Sequence, residues 1–186
     1  GSFKMRGVGH ACQMYLKEGA RKLISSSGGT AGIAVACSGR LLGVPVTVVV
    51  PESTAERALE MIRQENAHVI IKGKTWQEAH NHSLKLVDSE CAHIHPFDDP
   101  LLAAGQGTIG LEILEDLPDV SRVYVSIGGG GLIGGIALAA KAHNPTLRVV
   151  GVQAENVAPW RHYLADGGLD PIPADAHTIA DGIKVK

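Results

Sequence analysis

Arg122-Val123-Tyr124-Val125-Ser126-Ile127 runs straight into Gly128-Gly129-Gly130-Gly131 and then into Leu132-Ile133-Gly134-Gly135. The β-branched and aromatic first part predicts a strand over 122–127, and the Ala-rich stretch that follows predicts a helix over 132–143. A tight turn between them needs one or two glycines. Four in succession let several backbone N–H groups converge with no Cβ in the way, and the helix N-terminus adds a partial positive charge. The segment therefore reads as an anion cradle, best suited to a phosphate.

The same rhythm recurs outward from this unit. Strands are predicted at 22–25, 44–50, 68–71, 92–95 and 147–153, with helices at 30–42, 54–64, 76–87 and 100–117. Ser53 and Thr75 stand where they would cap two of the helices. Such alternation predicts an α/β fold with parallel sheets covered by helices on both faces. The run at 44–50 has the character of a strand buried on both sides. The stretch 167–177, with its prolines and aspartates, reads as a loop or linker.

Composition removes several function classes. Hydrophobic residues make up 45% of the 186 and charged residues 19%, which excludes a disordered chain and supplies ample core. The balance of 17 basic against 19 acidic residues, net −2, argues against a nucleic-acid binder. No apolar stretch approaches the roughly 18 residues needed to span a bilayer. Cys12, Cys37 and Cys91 are far apart, odd in number and in no metal spacing, which points to a reducing, cytoplasmic compartment. Glycine accounts for 23 residues, where the usual share of about 7% would give roughly 13. The chain starts at Gly1-Ser2-Phe3-Lys4 and stops at Lys184-Val185-Lys186. It is expected to be truncated at both ends.

Two further segments carry candidate chemistry. Ser25-Ser26-Ser27-Gly28-Gly29-Thr30-Ala31-Gly32 also lies between a strand and a helix, and its hydroxyls and amides suit a carboxylate or another anion. Taken alone, the same residues serve equally well as an ordinary turn and cap. In Gly1-Ser2-Phe3-Lys4-Met5-Arg6-Gly7 a lysine is flanked by small residues and an aromatic ring. Desolvation there would lower its pKa and free the amine for attack on a carbonyl, although most lysines are solvated surface charges. His80 and His82 are expected to be solvated on a helix, and His93 and His95 to share one face of a strand. No further ligand is spaced to complete a metal site, and none is predicted. Trp76 and Trp160 are expected to fill core or interface surface.

Jointly these segments resemble the pyridoxal-phosphate-dependent serine/threonine dehydratase family, which includes serine racemase and has the tryptophan-synthase β-like fold. The resemblance rests on Gly1 to Gly7, the Ser/Gly loop, the tetraglycine loop and three further segments. These are Pro96-Phe97-Asp98-Asp99-Pro100, Ala104-Gly105-Gln106-Gly107-Thr108 and Ile179-Ala180-Asp181-Gly182-Ile183. It implies two lobes, a small one over 3–103 and a partial cofactor lobe over 104–186. It further implies that Lys4 is the Schiff-base lysine and the base that takes the substrate Cα proton. Phe3 and Ala180 would lie near opposite faces of the pyridine ring, with Gly128, Gly129, Gly130, Gly131 and the Leu132 amide on the cofactor phosphate. Ser27, Gly28 and Gly29 would grip the amino acid's carboxylate, and Phe97 would lie near the substrate. The implied reaction is β-elimination from L-serine or L-threonine, an ammonia-lyase activity yielding a 2-oxo acid and ammonia. A homo-oligomer, most simply a dimer, is implied as well.

The sequence departs from the family pattern at two positions of the loop. Thr30 stands where an asparagine usually supports the cofactor's ring hydroxyl, and Gly28 stands where racemases of this branch carry a serine. The second departure favours elimination over racemisation. Two other readings stay open on sequence alone. One is a catalytically impaired or non-catalytic fragment. The other is an NAD(P)-binding Rossmann-type oxidoreductase domain, since Gly129 to Gly134 satisfies G-x-G-x-x-G and Glu155 lies where a ribose-binding acid is expected. That last reading leaves the lysine motif and the Ser/Gly loop without a role.

Overall fold

The computed structural model describes residues 2–168, 176 and 178–183. The chain divides into two units, Gly1–Gln106 and Gly107–Lys186. Most of the loop expected over 167–177, together with Gly1, Lys184 and Lys186, lies outside the described residues.

The first unit holds helix α1 (Lys4–Lys17), strand β1 (Lys22–Ser25), α2 (Thr30–Leu42), β2 (Val46–Val50), α3 (Glu56–Gln64), β3 (His68–Ile71), α4 (Trp76–Lys85) and β4 (Cys91–Ile94). Helix α5 (Pro100–Asp116) begins in it and carries the boundary between the units. The four strands form one parallel sheet in the order β3-β2-β1-β4. The chain therefore builds outward from β1 to β3 and then returns to place β4 on the other side of β1. In an open α/β sheet this reversal opens a crevice at the carboxyl ends of the two strands on either side of it, β1 and β4, where ligands usually bind. Here those ends are Ser25 and Ile94.

Why these residues make these elements is mostly a matter of small and branched apolar side chains. Val48, Val49 and Val50 are completely buried, as a strand covered on both faces should be. Helix α2 buries Ala31, Ala34, Val35 and Ala36 against the sheet and stops at Gly43, whose left-handed φ of 71° closes the last turn. Helix α3 buries only Leu59 and Ile62 and turns its charges outward. Thr75 caps α4 by accepting a 3.2 Å hydrogen bond from the Glu78 amide. Ser53 does not cap α3: the Thr54 amide instead bonds to the Pro51 carbonyl at 3.1 Å, and the helix begins after Ala55 without a side-chain cap.

The sequence reading assigns no element to the residues of helix α1. Its buried face is Gly7, Val8, Ala11 and Cys12, a stripe at helical spacing built from small residues. The stripe permits close approach: a Cβ on Gly105 would sit 2.5 Å from the Cα of Gly7. The β4 strand ends one residue earlier than expected because His95 turns back to take the Phe97 and Asp98 amides.

The second unit contains the rest of α5, then β5 (Arg122–Ser126), α6 (Gly131–His143), β6 (Arg148–Val152), α7 (Pro159–Asp166) and a short 3₁₀ turn at Asp181–Ile183. Strands β5 and β6 are paired in parallel from Arg122↔Arg148 to Ser126↔Val152, with α6 as the crossover. Gly110 lets α5 lie close on α6, where a Cβ would meet the Ile136 carbonyl at 2.8 Å. Among the described residues no helix is long and apolar enough to cross a membrane.

Candidate active site

In the first unit the carboxyl ends of β1 and β4 are tied together. The Ser25 hydroxyl donates to the Ile94 carbonyl at 3.1 Å. From this point Ser26 to Gly29 leave in one direction and His95 to Asp99 in another. Lys4, in the first turn of α1, reaches across to the second segment, and its Nζ donates to the Pro96 carbonyl at 2.8 Å. The same amine lies 5.3 Å from the centroid of the Phe3 ring. Burial lowers the Lys4 pKa from its ordinary value. Among the described residues no carboxylate lies within ion-pair distance of it. An amine so placed is easier to deprotonate than a surface lysine, which is what a nucleophile or base requires.

The segment after β4 is held firmly. His95 Nδ1 accepts from the Phe97 and Asp98 amides at 3.3 and 2.8 Å, so the ring proton of the neutral imidazole is on Nε2. Asp99 accepts from the Leu101 amide at 2.8 Å and from the Tyr15 hydroxyl at 2.8 Å, joining the start of α5 to α1. Burial, and then Asp99, push the Tyr15 hydroxyl up to about 12, so it remains a donor. Phe97 packs edge-on against the His95 ring at 4.7 Å.

The Ser/Gly loop presents backbone. The Gly29 amide bonds to the Ser27 hydroxyl at 3.3 Å. Among the described residues, the amides of Gly28, Thr30, Ala31 and Gly32 donate to no acceptor. They lie at the N-terminus of the 13-residue α2, where an anion is favoured. Gly28 has no room for a side chain beside Thr54: a Cβ there would be 2.7 Å from Thr54 Cγ2. Thr30 is exposed in the first turn of α2, and its hydroxyl has no hydrogen-bond partner among the described residues.

The histidines differ from expectation. His80 is not simply solvated. It stacks on Trp76 at 4.8 Å and meets the rings of His93 and His95 edge-on at 5.3 and 5.6 Å. Its Nδ1 is 2.9 Å from the hydroxyl of Ser26. Nothing in helical spacing signals this cluster, because three elements assemble it. Among the described residues no group of three or more His, Cys, Asp or Glu side chains is arranged to hold a metal ion.

In the second unit the tetraglycine segment forms the turn between β5 and α6. Gly130 caps α6 with φ 93°, a left-handed conformation that favours glycine. Among the described residues the amides of residues 128–133 donate to no acceptor. Six such donors around the N-terminus of a 13-residue helix have the chemistry that suits an anion. Trp160 braces it: the indole N–H donates to the Gly128 carbonyl at 3.0 Å. A Cβ on Gly130 would stand 3.1 Å from the same indole. Ala180 is half-buried, and its amide bonds to the Thr178 hydroxyl at 3.0 Å.

A family model for pyridoxal-phosphate dependent enzymes matches residues 1–186. The chain belongs to that family. It is 43% identical to an L-threonine ammonia-lyase of Geobacter sulfurreducens, over all of this chain and 46% of the relative. Among solved structures it resembles maize serine racemase, with TM-score 0.93 and 30% identity over 100% of this chain and 56% of that one. It also resembles the processed form of threonine deaminase isoform 2 from Solanum lycopersicum, with TM-score 0.89 and 34% identity over 99% and 54%. The chain thus spans about half the length of the curated relatives it matches. Membership in the pyridoxal-phosphate dependent enzymes sets aside the dinucleotide-binding reading that the spacing of the glycine-rich turn also satisfies. The residues present fit pyridoxal phosphate: amides without an acceptor among the described residues suit its phosphate, and a partly buried amine suits its carbonyl.

Proposed function

We infer that the protein to which this chain belongs catalyses β-elimination of L-threonine or L-serine to a 2-oxo acid and ammonia. The chain supplies a small lobe over 3–103 and part of a cofactor lobe over 104–186. The observation that carries this reading is the partly buried Lys4 amine at the β1/β4 crevice, with amides of the Ser/Gly loop that have no acceptor among the described residues leaving the same crevice. Pyridoxal phosphate, when bound, supplies a carbonyl for an amine and an electron sink for a breaking Cα–H bond.

The chain's own residues do the rest. Lys4, easily deprotonated, accepts the Cα proton on Nζ and then gives a proton to the β-hydroxyl, whose oxygen departs as water. Ser27, Gly28 and Gly29 bind the substrate carboxylate, which directs the Cα–H bond toward the base. Phe97, fixed by His95, bounds the side-chain end of the substrate. Gly128 to Gly131 and the Leu132 amide hold the phosphate, while Phe3 and Ala180 flank the ring. Thr30 takes the place from which the family's asparagine supports the ring hydroxyl. With glycine at 28, no hydroxyl is offered to the opposite face, which favours elimination over racemisation. The three free cysteines and the family resemblance support a cytoplasmic homo-oligomer.

The test is borohydride reduction of the protein with pyridoxal phosphate, followed by peptide mapping, alongside 2-oxo acid release from L-threonine and L-serine. Reduced cofactor on Lys4 with release of 2-oxobutanoate or pyruvate is the expected result. Label on a different lysine overturns the assignment of Lys4, and label on Lys4 without product overturns the reaction.

A further inference from the structure

Ser26 is completely buried, and its Oγ lies 2.9 Å from His80 Nδ1. The ring that meets it is clamped on several sides. Trp76 stacks on one face with an interplanar angle of 18°, and His93 and His95 present edges at 78° and 82°. Ser83, one turn along α4, locks the arrangement further. Its hydroxyl donates to the His80 carbonyl at 2.7 Å, so it accepts from His93 Nε2 at 2.9 Å. His95 in turn holds the Phe97 and Asp98 amides. The imidazole of His80 is therefore the hub between the two segments that leave the β1 and β4 ends. Ser26 immediately precedes Ser27, Gly28 and Gly29.

We propose that His80 is a positioning residue for the substrate carboxylate, acting through its bond to Ser26 to hold the Ser27-Gly28-Gly29 loop in its binding geometry. The inference rests on the reading of that loop as the carboxylate grip. A two-glycine loop without a pinned entry has to be ordered when the ligand arrives, and that ordering subtracts from affinity. His80 touches no reacting atom in this scheme, so its loss weakens ground-state and transition-state binding together. Such a loss raises KM and leaves kcat nearly unchanged.

The experiment measures L-alanine, which has no β-leaving group, binding to the cofactor-loaded protein by calorimetry, with kcat and KM for L-threonine alongside. His80→Phe keeps the stack on Trp76 and removes Nδ1. It should weaken L-alanine about 10-fold and raise KM by a similar factor, with kcat within about 2-fold, a change worth about 1.4 kcal/mol. His80→Asn restores a polar atom near the Nδ1 position and should recover most of the affinity. Ser26→Ala should match His80→Phe, and the double variant should be no worse than either single one.

Gly29→Val separates this inference from the reading beneath it. A Cβ at Gly29 meets only the Ser27 hydroxyl, at 3.9 Å, so the fold tolerates it while the loop mouth is filled. If Gly29→Val abolishes L-alanine binding but His80→Phe and Ser26→Ala do not weaken it, the loop is the grip and the role of His80 is refuted. If Gly29→Val leaves binding intact, the carboxylate reading fails and the inference falls with it. Additive losses from Ser26 and His80 overturn the coupling between them.

Discussion

The two units differ in what they bring to the proposed site. The first adds side chains to its loop amides: the Lys4 amine, three imidazoles and a set of serine hydroxyls gather near the reversal of strand order between β1 and β4. The second brings backbone alone, with six amides around the start of α6 that have no acceptor among the described residues. A side-chain site is sensitive to protonation and to the loss of one functional group. A backbone site is indifferent to both and fails when a Cβ is added. The contrast is most severe at Lys4. Lys4→Ala should reduce turnover by at least about 1000-fold, with loss of borohydride-trapped cofactor and retention of the circular dichroism spectrum. Turnover within 10-fold of the parent would remove Lys4 from the chemistry and leave the first unit without its defining group.

The corresponding insult to the second unit adds a single carbon. Gly130 has φ 93°, and a Cβ there stands 3.1 Å from the Trp160 ring. A left-handed conformation costs a residue with a Cβ roughly 1–2 kcal/mol, so Gly130→Ala should tilt the cradle and weaken pyridoxal phosphate by about 10-fold or more. Equilibrium dialysis measures this directly, and inorganic phosphate as a competitor tests whether the phosphate group is what the cradle reads. Gly134→Ala is the control, since a Cβ at Gly134 meets nothing within 4 Å. Equal losses from both substitutions would mean that the turn's conformation is not what binds.

These two sites were unequally legible in the sequence. The tetraglycine turn is local, and four consecutive glycines between a β-branched run and an Ala-rich one leave few alternatives. Most strand and helix spans were readable for the same reason. Helix α1 was not, because the face buried by Gly7, Val8, Ala11 and Cys12 keeps helical spacing but is made of small residues that do not stand out as a core stripe. Ser53 was misjudged as a cap because a turn closed by Pro51 takes up the residues before α3. The His80 cluster was beyond reach, since it depends on α4, β4 and the β1 exit arriving together. Lys4 stood out as a candidate amine from its small and aromatic neighbours, the resemblance gave it a role, and its desolvation is a tertiary fact.

A smaller effect is expected at Gly28, where the first unit borrows the second unit's device. Here too a missing Cβ matters, because Thr54 Cγ2 would lie 2.7 Å from it. Gly28→Ser should destabilise the protein by about 1–3 kcal/mol through overpacking, read as a lower midpoint in thermal unfolding. Combining it with Thr54→Ser should restore most of that loss. If the double variant also inverts the Cα centre of L-serine in deuterated water, the hydroxyl at 28 supplies the second-face base. Full stability of the single variant would show that Thr54 rotates away at no cost, and that packing does not explain the glycine.

The smallest effect separates the units by pH. His93 is half-buried, and its pKa is pushed down to about 4 by burial first and then by the nearby rings of His80 and His95. Its Nε2 proton is used on Ser83, so a second proton would go to Nδ1 and place positive charge beside two other imidazoles. The unfolded chain takes up that proton near pH 6.5, well before the folded one does. The contribution of neutral His93 is therefore complete above about pH 6.5, declines as the pH falls, and is gone below about 4. Partial exposure limits it to no more than about 2 kcal/mol. Burial lowers His80 and His95 in the same direction, so the slopes add. Urea unfolding between pH 4 and 7 should show stability falling with acid, and His93→Gln, which keeps a donor for Ser83, should flatten the curve. The backbone cradle has no such group, so Gly130→Ala should weaken phosphate competition by the same factor over the upper part of this range, where the fold persists, even as phosphate itself takes up a proton. A profile unchanged by His93→Gln would mean that the imidazoles share one proton freely, and that no single ring carries the dependence.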